Sequence, residues 1–157
     1  MKKILILFSI LSIVIVIIVI SFGANNIELS REIMNYIDSN YDEEESIIIS
    51  IDEITDFKWD RMLVFHVGSS QKGISEALGV EFNESVDLMI GAVFVYDNEI
   101  VYTEIMPYSY ESPNKFVYYF RKPADPMYKI FSPDNAIFEI IRRKKNGQFY
   151  YKLSFTP

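Results

Sequence analysis

The stretch AIFEIIRRKKNGQFYYKLSF, residues 136–155, decides the fold. Asn146-Gly147 is a strong short hairpin signal, because a two-residue turn of the favoured type needs positive φ at both positions. The flanking arms, Ala136 to Lys144 and Gln148 to Phe155, alternate: Phe149, Tyr151, Leu153 and Phe155 share one face, and Tyr150, Lys152 and Ser154 the other. Two antiparallel strands with one apolar face are predicted. Arg142, Arg143, Lys144 and Lys145 gather near the tip, where alternation sends them to both faces, so a solvated tip is expected rather than one basic patch. Contact with an anionic membrane surface or a wall polymer is the alternative.

Working outward, Leu88 to Tyr96, the dipeptide Asp97-Asn98, and Glu99 to Met106 read as a second hairpin, with Gly91 marking a bulge or a close approach of another element. Lys115 to Arg121 and Met127 to Phe131 are further strands, the latter ending at the turn Ser132-Pro133-Asp134-Asn135. Upstream, Leu63, Phe65 and Val67 alternate with Met62, Val64 and His66, which makes a strand apolar on both faces and therefore central. Gly68, Ser69 and Ser70 end it; a serine caps a helix with Ile74, Ala77 and Leu78 on its apolar side, and Gly79 stops that helix. Leu29, Ile33, Tyr36, Ile37 and Tyr41 lie on one stripe of period 3.6, a core-covering helix. The expectation is an α+β domain with a mainly antiparallel sheet and one or two helices packed on one face, without internal repeats.

At the amino terminus Lys2 and Lys3 precede Ile4 to Phe22, which no acidic, basic or amide residue interrupts. A helix over residues 4–22 is about 28 Å long, close to the hydrocarbon thickness of a bilayer. A single transmembrane anchor over residues 1–24 is expected, followed by a domain over 25–157. The two lysines keep the amino terminus cytoplasmic and send the rest outside the cell membrane. Ser21 and Gly23 fit cleavage after Gly23, which would release a secreted protein instead.

Residues 25–157 hold 13 basic and all 22 acidic residues, a net charge of −9. That balance excludes general nucleic-acid binding, whose non-specific affinity comes from Lys and Arg on phosphates. Zero cysteines exclude disulfides, zinc ribbons and thiol nucleophiles, and a single histidine excludes sites needing two imidazoles. No cofactor is expected. The run Asp42-Glu43-Glu44-Glu45 lacks the alternating ligands and glycine of a calcium loop and reads as a solvated linker.

Phe57-Lys58-Trp59-Asp60-Arg61, then Val64-Phe65, then a short helix ending Leu78-Gly79, resembles a pattern F-x-W-D-[KR]…V-F…L-G in small exported or membrane-anchored bacterial proteins of uncharacterised activity. The resemblance covers roughly residues 50–100, with Val67-Gly68 standing near the family's Pro-Tyr pair, and it implies no activity. An aspartate following a buried tryptophan at a strand entrance, here Trp59-Asp60, reads as a turn acceptor for backbone N–H groups. His66 lies six residues beyond Asp60, about 20 Å along an extended strand, so the two form no dyad within it. Ser69 and Ser70 come without a nucleophile elbow, and no phosphate-binding glycine loop is present.

Tyr108 and Tyr110, in the loop Pro107 to Asn114, with Tyr118 and Tyr119 beyond it, form the candidate interaction surface, because a tyrosine ring offers contact area at little entropic cost. The functional expectation is a membrane-anchored extracytoplasmic binding domain without catalysis, whose partner is a protein, peptide or envelope polymer. An immunity-type protein capping a basic toxin is one version. A small hydrolase using His66 with a carboxylate such as Asp60 or Glu76 is the competing class.

Overall fold

Two hairpins set the architecture, and each seeds its own sheet. A computed structural model describes residues 28–41, 46–109, 114–119 and 127–155. The elements run α1 (Leu29–Asn40), β1 (Ser46–Ser50), a 3-10 turn (Ile51–Glu53), β2 (Arg61–Phe65), α2 (Gln71–Leu78), β3 (Met89–Tyr96) and β4 (Glu99–Pro107). They continue with β5 (Phe116–Tyr119), β6 (Tyr128–Phe131), a 3-10 turn (Pro133–Asn135), β7 (Ile137–Lys145) and β8 (Gln148–Phe155). The anchor expected over residues 4–22 and the acidic run 42–45 lie outside the described residues. Among the described residues no helix is long and apolar enough to cross a membrane.

The chain is α+β with mostly antiparallel pairing, but the single sheet of the sequence reading is two. Sheet I has the order β1-β7-β8-β5 and sheet II the order β4-β3-β2-β6. Among the described residues only β5 against β8 is parallel. Local turns explain the hairpins: Asp97 and Asn98 take φ of 50° and 61°, and Asn146 and Gly147 take 52° and 79°. Central β2 is flanked by β3 and β6 and buries Met62, Leu63, Val64 and Phe65. It does so because apolar groups cover both of its faces. Met62, Val64, Ala92 and Phe94 meet the inner face of sheet I in one core; Leu63, Phe65, Val93 and Val95 meet Ile74 and Leu78 of α2 in another. The two helices therefore serve different cores rather than one face of one sheet.

Sequence signals end α2 at both sides. Ser70 Oγ accepts from Gly73 N at 3.0 Å, and Gly79 takes φ 71° with its N–H on Ser75 O. Helix α1 turns Leu29, Ile33 and Ile37 into the first core and bridges the sheets. Its first turn is held by β4 and its last by β7 and β8. Opposite, Phe131 of β6 meets Phe138 and Phe155 of the β7–β8 hairpin at 5.0 and 5.7 Å between ring centroids.

Candidate functional site

The residues of the F-x-W-D-R pattern assemble into a structural clamp. The Phe57 ring stacks on Tyr102 and meets Phe94 edge-on, and Trp59 meets Phe94 edge-on from the same core. The Trp59 indole N–H donates to Thr55 Oγ1 at 3.0 Å. Asp60 Oδ2 accepts the Asp97 N–H at 2.9 Å, closing the β3–β4 turn, and its Oδ1 accepts from Arg61 Nε. The Arg61 hydrogen bond, then the Asp97 N–H, hold the Asp60 carboxyl below the usual carboxylate range. Arg61 also donates to Leu78 O at 2.6 Å, next to the left-handed Gly79, and to Asn98 Oδ1. The pattern thus ties a strand entrance, a hairpin turn and a helix end together. Asp60 and His66 flank opposite ends of β2, as the spacing predicts.

The tyrosines do not share a surface. Tyr118 points inward and is fully buried at 1% exposure, because inward positions of β5 alternate with outward ones; the expected exposed position belongs to Tyr119. Tyr108 is half-buried at the end of sheet II, its ring centroid 5.1 Å from that of His66, and Tyr110 lies outside the described residues. The His66 N–H donates to Met127 O, and burial pulls the imidazole below its ordinary pKa while a hydrogen bond with Val67 raises it. Among the described residues no cluster of three His, Asp or Glu side chains is placed to hold a metal.

A buried acid sits where the helix meets sheet II. Glu104, 5% exposed, accepts from Ser30 N at 3.2 Å and from Ser30 Oγ at 2.6 Å. Tyr102 Oη accepts the Leu29 N–H at 2.7 Å. Two strand residues thereby cap the first turn of α1, whose own N-cap position, Glu28, makes no side-chain cap. Burial raises the Glu104 pKa against the Ser30 hydrogen bonds, with Glu28 and Glu32 adding to the rise. Burial pushes Tyr102 up to about 12. Among the described residues the buried Tyr118 hydroxyl has no partner in hydrogen-bond geometry, and burial followed by the Glu104 charge pushes its pKa well up.

The outer face of sheet I is covered by no other described element and carries exposed apolar side chains. Alternation places Ile48 of β1, Ile137 and Ile141 of β7, and Val117 and Tyr119 of β5 outward, with Ile48 70% and Ile137 44% exposed. Toward the β7–β8 turn the same face becomes basic, carrying Arg143, Lys145, Lys152 and Lys115 around Tyr150. Among the described residues none of these four cations is ion-paired. The one carboxylate on the face, Glu139, accepts from Ser46 Oγ at 2.6 Å. A shallow hollow of about 220 Å³ opens here, lined by Asn114, Val117, Ile141, Arg143, Tyr150 and Lys152.

Arg142 corrects the expectation of a solvated tip. It turns inward, 3% exposed, donates to Asp38 Oδ1 at 3.0 Å and to Tyr41 O at 2.7 Å, and stacks over Phe149. The Tyr151 hydroxyl makes a short hydrogen bond to the same Asp38 carboxylate. Sequence reasoning passed over Glu104 and the hollow. Glu104 was signalled by its place between Tyr102 and Met106 on the inward side of β4; the hollow depends on the parallel β5, which no local pattern announces.

The chain matches no protein-family model, no characterised protein and no solved structure.

Proposed function

We propose that this protein is a membrane-tethered, non-catalytic interaction domain displayed outside the cytoplasm, and that the outer face of sheet I is its contact surface for a protein or peptide. The observation that carries the reading is the charge of that face: four cations that form no ion pair among the described residues, beside outward Ile, Val and Tyr side chains, on a domain whose net charge is −9. An apolar patch joined to Arg and Tyr is the composition of an interface centre, whereas a merely solvated sheet face alternates to charged groups of both signs. The uninterrupted run 4–22 supports the tether, and the lysines before it support the outside placement.

The test is chemical cross-linking of the full chain in its native envelope. Ile48→Asp with Ile137→Asp, both at exposed positions, abolishes the cross-linked partner. Tyr108→Ala with Tyr110→Ala leaves it in place. Loss of the partner in the tyrosine variant alone moves the surface to the end of sheet II and refutes the assignment.

A further inference from the structure

We infer that the hollow between β5 and the β7–β8 hairpin is a socket for a single carboxylate side chain, and that the partner presents an acidic segment there. This rests on the reading of the outer face as the contact surface and names the chemistry it selects.

Register brings the groups together. Ile141 pairs with Lys152 and Arg143 with Tyr150 across β7–β8, while Val117 pairs with Lys152 across β5–β8. Arg143 and Lys152 thus stand on neighbouring strands, two positions apart along the ladder, roughly 8 Å between backbones, and their side chains reach a common point. The floor between them is aliphatic, from Ile141 and Val117, and Tyr150 forms one wall. A glutamate or aspartate fits this arrangement: its methylenes pack on the floor and its carboxylate meets a planar guanidinium and an ammonium that lies over the Tyr119 ring, neither of them ion-paired among the described residues. At about 220 Å³ the hollow takes one side chain and falls below the range of pockets that enclose a whole metabolite.

Other anions fit less well. Phosphate sites draw on clustered free backbone N–H groups, and here β8 is paired with β7 along its length and with β5 over Tyr151–Ser154, so the backbone around Lys152 is committed to the ladder. A bilayer calls for protruding apolar groups around its cations, whereas this pair sits in a recess. Lys115 and Lys145, flanking the socket, guide an acidic segment toward it and make its arrival salt-dependent.

The test uses the full chain in zwitterionic detergent micelles, with a fluorescently labelled, end-blocked hexaglutamate peptide as probe and anisotropy as readout. Binding is expected, weakening as salt rises, with affinity down about tenfold in Arg143→Gln plus Lys152→Gln and unchanged in Lys72→Gln, a cation on α2. Lys152→Arg, which keeps the charge, retains binding and shows that the loss is not misfolding. Absence of hexaglutamate binding, equal binding by the double Gln variant, or displacement by millimolar inorganic phosphate or by phosphatidylglycerol vesicles overturns the socket. If hexaglutamate fails while Ile48→Asp with Ile137→Asp still removes the cross-linked partner, the socket falls and the contact face stands.

Discussion

Replacing Glu104 separates the two things it does, capping α1 and carrying a buried charge. In Glu104→Ala the Ser30 N–H and hydroxyl both lose their acceptor in a buried site. Losing a helix cap costs about 0.5–2 kcal/mol, and a buried donor left without a partner about 1–3 kcal/mol. Because the two overlap at Ser30, about 2–4 kcal/mol is expected in total, or roughly 6–15 °C in Tm for a domain of this size. Glu104→Gln keeps an acceptor for Ser30 and removes the charge whose burial is unfavourable, so it is expected within about 1 kcal/mol of the parent near neutral pH. The pH dependence follows from the raised pKa. A carboxyl whose folded pKa exceeds its unfolded value binds more protons in the native state, so its contribution is best in acid and declines as pH rises through the folded pKa. Glu28, Glu32, Tyr102 and Tyr118 face this group; the acids among them deepen the decline, and the tyrosines stay neutral across it. Denaturant unfolding of the full chain in micelles, followed by the fluorescence of the sole tryptophan, Trp59, reads both effects from within the same core. The reasoning is refuted if Gln costs as much as Ala, or if the parent gains stability over Glu104→Gln between pH 4 and pH 7.

Gly91 stands where a Cβ would lie 2.1 Å from Glu104 O and 2.9 Å from the Phe65 ring, so Gly91→Ala is expected to lower stability by at least about 2 kcal/mol, measured by the same unfolding curve. Arg142→Met strips the buried partner from Asp38 and from Tyr41 O while keeping most of the stem's volume, and a loss of about 2–4 kcal/mol is expected. The adjacent Arg143→Gln, on the outer face, should leave Tm within about 1 °C, because exposed cations contribute little to folding. Equal effects from these two neighbours would show that the assigned register is wrong.

What the sequence disclosed and what it withheld divide along range of interaction. Both hairpins were legible because Asp97-Asn98 and Asn146-Gly147 need no distant partner to adopt positive φ, and the Ser70 and Gly79 signals of α2 are local in the same sense. The split into two sheets was not, since the edge partner of β8 is the parallel β5, which arrives from about 35 residues upstream with no turn to advertise the pairing. Alternation assigned sides correctly along β7 but not depth: Arg142 is buried because Asp38, 104 positions away, is waiting for it. The same gap explains the tyrosines, for Tyr118 and Tyr119 differ only in parity, and parity has meaning once it is known what covers each face of β5. Function inherits this dependence. With β8 paired to β7 along its length and to β5 over Tyr151–Ser154, side chains differentiate the outer face of sheet I, and register selects those side chains. A slip of one residue in β7 would exchange the faces of Arg142 and Arg143, turning the socket's guanidinium inward and sending the partner of Asp38 to the outer face in a single step. The folding anchor Arg142–Asp38 and the proposed recognition residue Arg143 are therefore coupled through one strand: the ion pair that fixes the inner side of β7 also fixes what the outer side presents.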